Sequence, residues 1–203
     1  MSESRPVGSF RNSNRAGFTL PEVIIAMGLA SMAFVAMLSL QTTVIAAHSR
    51  QLIAGKLAGD GVYASELFKR DIRSATAVLE PAGGDSKVLK GFINVNRLDL
   101  ETPVVADKPA GYFIYCVAPG GNILYRYSGS VPVPLSFSGF NCGGAAAGNQ
   151  DRQAVITASE GTTLIYSFRV RGESLNIVDM NYWILWGKEE ITGSVSAQLQ
   201  RGL

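Results

Sequence analysis

Hydrophobic and polar positions divide this chain into three regimes. Residues 1–17 are polar, with Gly, Ser, Asn and three arginines. From Val23 through Ser49 there is no Asp, Glu, Lys or Arg. Apolar side chains there fall on every side of a helical projection, as lipid or an apolar core demands. The run exceeds the ~20 residues that a bilayer-spanning helix needs. Beyond it the pattern becomes one-sided. Ile53, Leu57, Gly61, Ala64, Phe68, Ile72, Ala75 and Leu79 recur at steps of three or four, the stripe of a helix lying on a sheet or core. Lys56, Asp60, Lys69, Arg70 and Arg73 fall on the opposite face. Pro81 and Gly83-Gly84 are stop signals. The spacing predicts one helix from Leu20 to about Leu79, on the order of 90 Å long. Gly55, Gly59 and Gly61 lie inside it, each costing roughly 1 kcal/mol relative to alanine. Two explanations stand: a bend or locally melted turn, and close packing against a neighbouring element.

From Lys87 onward short β-rich runs alternate with turn signals, the pattern of antiparallel strands. The candidates are Val88–Val95, Tyr112–Val117, Ile123–Tyr127, Val131–Phe137, Val155–Ala158, Thr163–Arg171, Ser174–Val178 and Tyr182–Trp186. Pro119-Gly120-Gly121-Asn122 reads as a hairpin turn and Arg171-Gly172-Glu173 as the tip of another. Cys142 to Gln150 is rich in Gly and Ala and reads as a flexible loop. The fold class is therefore α+β: a long N-terminal helix, part transmembrane and part amphipathic, the latter packed on an antiparallel β-sheet.

Charge and composition narrow the function. Arg5, Arg11 and Arg15 against Glu3 give the leader a net charge of +2, equal to that of the whole chain. The remainder is close to neutral, which leaves no basic surplus for a nucleic-acid surface. His48 is the one histidine, so His-based triads and multi-His metal sites lack material. Walker, dinucleotide and zinc motifs are absent. Asp85, Asp99, Asp107, Asp151 and Asp179 are scattered without EF-hand spacing, although a calcium site built from distant loops stays open. No catalytic residue, metal ligand or cofactor is expected, and the chain does not read as an enzyme. Trp183 and Trp186, three apart in an apolar strand, read as core packing rather than as a ligand platform.

The sharpest signal is Gly17-Phe18-Thr19-Leu20-Pro21-Glu22-Val23. A carboxylate at the mouth of a membrane-length segment is expensive and asks for a functional reason. Basic leader, Gly-Phe junction, acid and long apolar helix, at this spacing, resemble the N-terminus of the type IV pilin and pseudopilin family. The resemblance covers the chain from the leader to roughly Ala47. It implies cleavage by a prepilin peptidase between Gly17 and Phe18, N-methylation of Phe18, and a role for Glu22, fifth in the mature chain, in pairing with the N-terminal amine of a neighbouring subunit. Pro21 departs from the family's usual aliphatic residue, and proline suits a first helical turn. Two competing readings are a secretory signal cut near Ala46-Ala47 and a plain single-pass anchor. The uncharged stretch is longer than an ordinary signal's apolar region, and neither reading gives Glu22 a purpose.

On this resemblance residues 1–17 are a leader, 18–47 a transmembrane and filament-core helix, 48–80 the amphipathic half and 81–203 a periplasmic β domain. The basic leader predicts a cytoplasmic N-terminus and a single inner-membrane pass. An exported domain sees an oxidising compartment, where Cys116 and Cys142 tend to pair. That bridge would close a loop of about 26 residues and add about 3 kcal/mol; the alternative is two buried free thiols. Glu66-Leu67-Phe68-Lys69-Arg70-Asp71-Ile72-Arg73-Ser74-Ala75 resembles a stretch of J-type minor pseudopilins and W-type minor pilins. Asn122-Ile123-Leu124-Tyr125-Arg126 resembles one of their strands, loosely. The plainer reading of Lys69, Arg70, Asp71 and Arg73 is a solvated helix face. The implied partners are other pilin or pseudopilin subunits, the prepilin peptidase, the inner-membrane assembly platform and membrane lipid, with no nucleic acid expected. The leading function is a subunit that initiates or caps a type II secretion pseudopilus or a type IV pilus. A tip adhesin or DNA-uptake module is the alternative, and a membrane-anchored periplasmic enzyme a distant third.

Overall fold

The computed structural model describes residues 17–82, 84–96, 98–99, 101–131, 141–144, 150–158, 162–171, 176–187 and 189–199. The chain divides into two compact units, with the boundary between Gln51 and Leu52. Helix α1 (Leu20–Ser74) opens in the first unit and closes in the second. In the first unit its apolar run is exposed throughout and is long and apolar enough to cross a membrane. The second unit holds the amphipathic end of α1 and all the strands.

The amphipathic stripe predicts the buried face well. Leu57, Gly61, Ala64, Phe68 and Ile72 are buried, joined by Leu67 and Asp71. The helix nevertheless ends at Ser74 rather than near Leu79. Residues Ala75–Glu80 form strand β1, which pairs antiparallel with β3 (Val88–Ile93). The β-branched Thr76 and Val78 favour this outcome. Thr76 Oγ1 also accepts a bond from Val95 N–H at 3.1 Å and donates to Val95 O at 3.0 Å. Leu79, assigned to the stripe, is 48% exposed.

The strands form two antiparallel sheets where the sequence pattern predicts one. The first has the order β1-β3-β4-β5-β6, with β4 at Gly111–Val117, β5 at Ile123–Ser130 and β6 at Asp151–Thr157. The second has the order β2-β7-β8-β9, with β2 at Asp85–Ser86, β7 at Thr162–Arg171, β8 at Ile177–Trp186 and β9 at Glu189–Gln198. The turn between β4 and β5 lies where the sequence places it. Gly121 N–H bonds Ala118 O at 2.8 Å, and Gly121 sits at φ 68°, a left-handed conformation that favours glycine. The runs Ser174–Val178 and Tyr182–Trp186, read as two strands, belong to one, β8; Ser174 and Leu175 lie outside the described residues. So do residues 132–137 of the expected strand Val131–Phe137, the tip at Gly172-Glu173 and most of the Gly-rich loop after Gly144.

One core joins α1 to both sheets. Leu57, Ala64, Phe68 and Ile72 meet Leu89, Phe113, Tyr115 and Leu124 of the first sheet and Leu164, Tyr166, Phe168, Met180 and Ile184 of the second. Tyr182 explains one of the three glycines Gly55, Gly59 and Gly61. A Cβ on Gly61 would lie 2.8 Å from the Tyr182 hydroxyl, and one on Gly193 of β9 would overlap the Tyr182 ring. Gly55 and Gly59 have open space around them, and α1 is helical through all three.

The core also contains a charge. Asp71, on the buried face of α1, accepts from Arg126 Nε at 2.6 Å and Nη2 at 3.2 Å, and from the Tyr115 hydroxyl at 2.7 Å. The Asp71 side chain is 3% exposed and that of Arg126 11%. Arg126 Nη1 donates to Ser128 Oγ at 2.8 Å. Burial works against the Arg126 charge, but the Asp71 carboxylate more than offsets it and the guanidinium pKa rises. Burial, then the neighbouring Asp71, holds the Tyr115 phenol far above its ordinary pKa.

Five outcomes follow for stability, each measurable by urea unfolding of the disulfide-intact protein. Gly61→Val or Gly193→Val forces a side chain into Tyr182 and is expected to cost about 1–3 kcal/mol, whereas Gly59→Ala is expected to stabilise α1. Arg126→Ala strands the Asp71 carboxylate and is expected to cost about 3–5 kcal/mol. The double change Asp71→Leu with Arg126→Met removes both charges and is expected to recover most of that loss. Because the folded Tyr115 pKa lies above its unfolded value of about 10, its contribution is fully present below that pH and declines as pH rises through and beyond it. Tyr115→Phe is expected to flatten part of the alkaline fall.

Candidate functional site

Thr19-Leu20-Pro21-Glu22 builds the start of α1. The Thr19 N–H donates to Glu22 Oε2 at 3.4 Å, and Val23 N–H donates to Thr19 O at 3.2 Å. The spacing of Thr19 and Glu22 is that of a capping box, in which the acid reaches back to the N–H of the cap residue. Glu22 also lies where the positive end of the helix dipole favours a carboxylate. The Thr-x-x-Glu signal is legible in the sequence. Pro21 sits in the first turn, where its missing N–H leaves no intrahelical bond unmade.

Gly17 and Phe18 precede the helix in non-helical, exposed backbone, with Phe18 82% exposed. The bond between them is therefore outside the helical hydrogen-bond ladder. Glu22 lies one helical turn beyond it. The three residues singled out from the sequence thus fall within six consecutive positions, around one helix N-terminus.

Past Glu22 the Ser and Thr hydroxyls of the apolar run are self-contained. Ser31 Oγ donates to Met27 O at 2.8 Å, Ser39 Oγ to Ala36 O at 2.8 Å, and Thr43 Oγ1 to Ser39 O at 2.9 Å. These hydroxyls meet the requirement that donors in hydrocarbon find a partner within the segment. Gly28, Ala30, Ala33 and Ala36 add small, exposed surface suited to close helix approach. His48 is exposed just after the run.

Cys116 and Cys142 form a disulfide across 26 positions. It ties residues 141–144 to the first sheet, where Gly143 N–H donates to the Tyr127 hydroxyl at 2.9 Å and Arg152 Nη1 to Gly144 O at 2.6 Å. Trp183 and Trp186 differ from the expectation of core packing. Both are half-buried, outside the core clusters. Trp183 shares a cross-strand row with Ile165 and Thr192, on the sheet face turned away from Met180 and Ile184. The charged run on α1 also differs from a uniformly solvated face. Arg70 and Arg73 are exposed, but Asp71 points inward to Arg126. The two stretches that carry the subtype resemblance therefore meet through that ion pair. Among the described residues no three His, Cys, Asp or Glu side chains gather as a metal site requires.

The family model of the prokaryotic N-terminal methylation motif matches residues 12–38. No curated protein and no solved structure matches the chain. The matched segment contains the Gly17-Phe18 junction, Glu22 and the first half of the apolar run. The chain thus carries a prokaryotic N-terminal methylation motif at the start of a helix that is long and apolar enough to cross a membrane.

Proposed function

We propose that the chain is a minor pilin or pseudopilin that helps to initiate or cap a type II secretion pseudopilus or a type IV pilus. The observation that carries this reading is the coincidence of the methylation motif with an acid at the first turn of a membrane-length helix. Residues 1–17 are removed as a leader by prepilin peptidase. Water adds across the Gly17–Phe18 peptide bond, Gly17 leaves as a carboxylate and Phe18 gains an ammonium; its deprotonated amine then takes a methyl group from an external methyl-donor cosubstrate, whose bond to the methyl breaks, and the product regains a proton as a methylammonium. Residues 18–47 hold the subunit in the inner membrane with a cytoplasmic N-terminus, residues 48–74 continue as the amphipathic half of α1, and the chain from Ala75 onward forms the periplasmic domain.

The new ammonium arises one residue before Thr19, whose N–H Glu22 already accepts. In low dielectric an isolated carboxylate is costly, and a cationic partner relieves that cost. The Phe18 ammonium of an adjacent subunit is that partner during assembly, so the pair sets axial register while apolar contact along Val23 to Leu40 supplies cohesion. The inward turn of Asp71 onto Arg126 supports the J-type or W-type subtype, because both resemblance stretches then serve one interaction.

Intact mass and N-terminal sequencing of the membrane-extracted protein are expected to give a mature chain beginning with N-methylated Phe18. Glu22→Ala is expected to be processed and inserted normally but to lose cross-links to neighbouring subunits in cells. Gly17→Glu is expected to accumulate uncleaved. A mature chain beginning near His48 would instead identify an ordinary secretory signal and end this reading.

A further inference from the structure

The second sheet turns one face to the shared core and the other to solvent. Cross-strand register sets the outward side chains in rows. Ile165, Trp183 and Thr192 form one row, and Ser167, Asn181 and Ser194 form the next. Ile165 is 45% exposed and Trp183 is half-buried, so apolar surface lies open in the middle of the sheet. Neither row holds a charged side chain. In the row beyond Asn181 the charges are already matched. Arg171 Nη2 donates to Asp179 Oδ1 at 3.2 Å, Ser196 Oγ donates to the same carboxylate, and Arg169 pairs with Asp85 at 3.6 Å. The polar groups beside Trp183 are in a different state. Among the described residues, the side chains of Ser167, Asn181, Thr192 and Ser194 make no hydrogen bond to the rest of the chain.

From this face we infer a binding site for a neutral glycan, centred on Trp183. An exposed apolar patch rimmed by polar groups marks a contact surface. The indole offers a flat, electron-rich face, and the C–H side of a pyranose ring is flat and weakly positive. Asn181 and the three hydroxyls both donate and accept hydrogen bonds, as do the hydroxyls around a sugar ring. Strand geometry spaces the two rows about 7 Å apart and makes each about 10 Å wide, the scale of a short sugar chain. A protein partner fits this face less well. A dry interface over Trp183 would strand the unbonded hydroxyls and the amide, and buried polar groups without partners are costly. A glycan brings a hydroxyl to each of them. An acidic polymer finds no spare cation here, because Arg169 and Arg171 are both in ion pairs. The inference concerns β7, β8 and β9 alone and does not depend on how α1 is used.

The test uses the full-length, disulfide-intact protein in zwitterionic detergent micelles, which carry no sugar headgroup to compete. The probes are cellohexaose and the hexamer of N-acetylglucosamine, both neutral, with polygalacturonate as the acidic comparison. Trp186→Phe leaves Trp183 as the one indole, and its fluorescence is expected to change saturably with a neutral hexamer and not with polygalacturonate. By titration calorimetry Trp183→Ala is expected to weaken binding about tenfold or more and Asn181→Ala severalfold, both without a change in unfolding midpoint. Trp183→Tyr, which keeps an aromatic face, is expected to retain most of the affinity, and Leu98→Ala, on a distant loop, all of it. Absence of saturable binding to both neutral hexamers overturns the inference. Binding that survives Trp183→Ala, or that favours polygalacturonate, overturns it as well. So does cross-linking in cells of Thr192→Cys to a neighbouring protein, since the face is then a protein interface.

Discussion

A carboxylate buried under a helix governs how the second unit is put together. Asp71 projects from α1 between Phe68 and Ile72 into a core of aromatic rings. A charge in that setting costs several kcal/mol unless it is closely paired. Arg126 meets it with two nitrogens and Tyr115 with a hydroxyl. The apolar contacts around them are non-directional and would tolerate some sliding of the helix along the sheet. The planar fork of the guanidinium does not. The ion pair therefore fixes position, while Leu57, Phe68 and Ile72 provide burial.

Much of this architecture was written in the period of the apolar residues, and the misses have physical causes. Steps of three and four marked the buried face of α1 because helix burial depends on side-chain spacing alone. The same period carried too far, through Ala75 and Leu79, because it cannot register the hydrogen bonds that Thr76 makes to Val95 from nineteen residues away. β9 does not stand out in the sequence because its inner face carries Gly193 and Ala197, small residues that register weakly on any hydrophobic pattern, although they sit against Tyr182 and the shared core. Asp71 was hidden among Lys69, Arg70 and Arg73, since a sequence shows charge but not which side of a helix has a partner waiting. The N-terminal site was plain for the opposite reason. Gly17, Phe18, Thr19 and Glu22 are contiguous, and everything they do locally is decided within one turn.

The two sheets are buried differently, and their sequences show it. β7 alternates buried and exposed residues, with Leu164, Tyr166, Phe168 and Val170 inward, as a strand with one solvated face should. β4 is buried on both faces. Phe113 and Tyr115 enter the core shared with α1, while Tyr112, Ile114 and Cys116 enter a second cluster with Phe92, Val95 and Tyr127. Val131 and Cys142 pack onto that second cluster. An unbroken apolar run such as Tyr112–Val117 is the expected signature of a strand covered twice.

The two ends of the disulfide are unequally sheltered. Cys116 is 1% exposed within β4, while Cys142 is half-buried in its loop. A small thiolate must therefore attack the Cys142 sulfur, and the electron pair of the broken bond must depart onto Cys116. A thiolate enclosed by Ile114 and Tyr127 is poorly solvated and leaves reluctantly. Burial of the leaving thiolate accordingly slows reduction of the folded protein, so a mild reductant acts faster on this bond when the second cluster opens and water reaches Cys116.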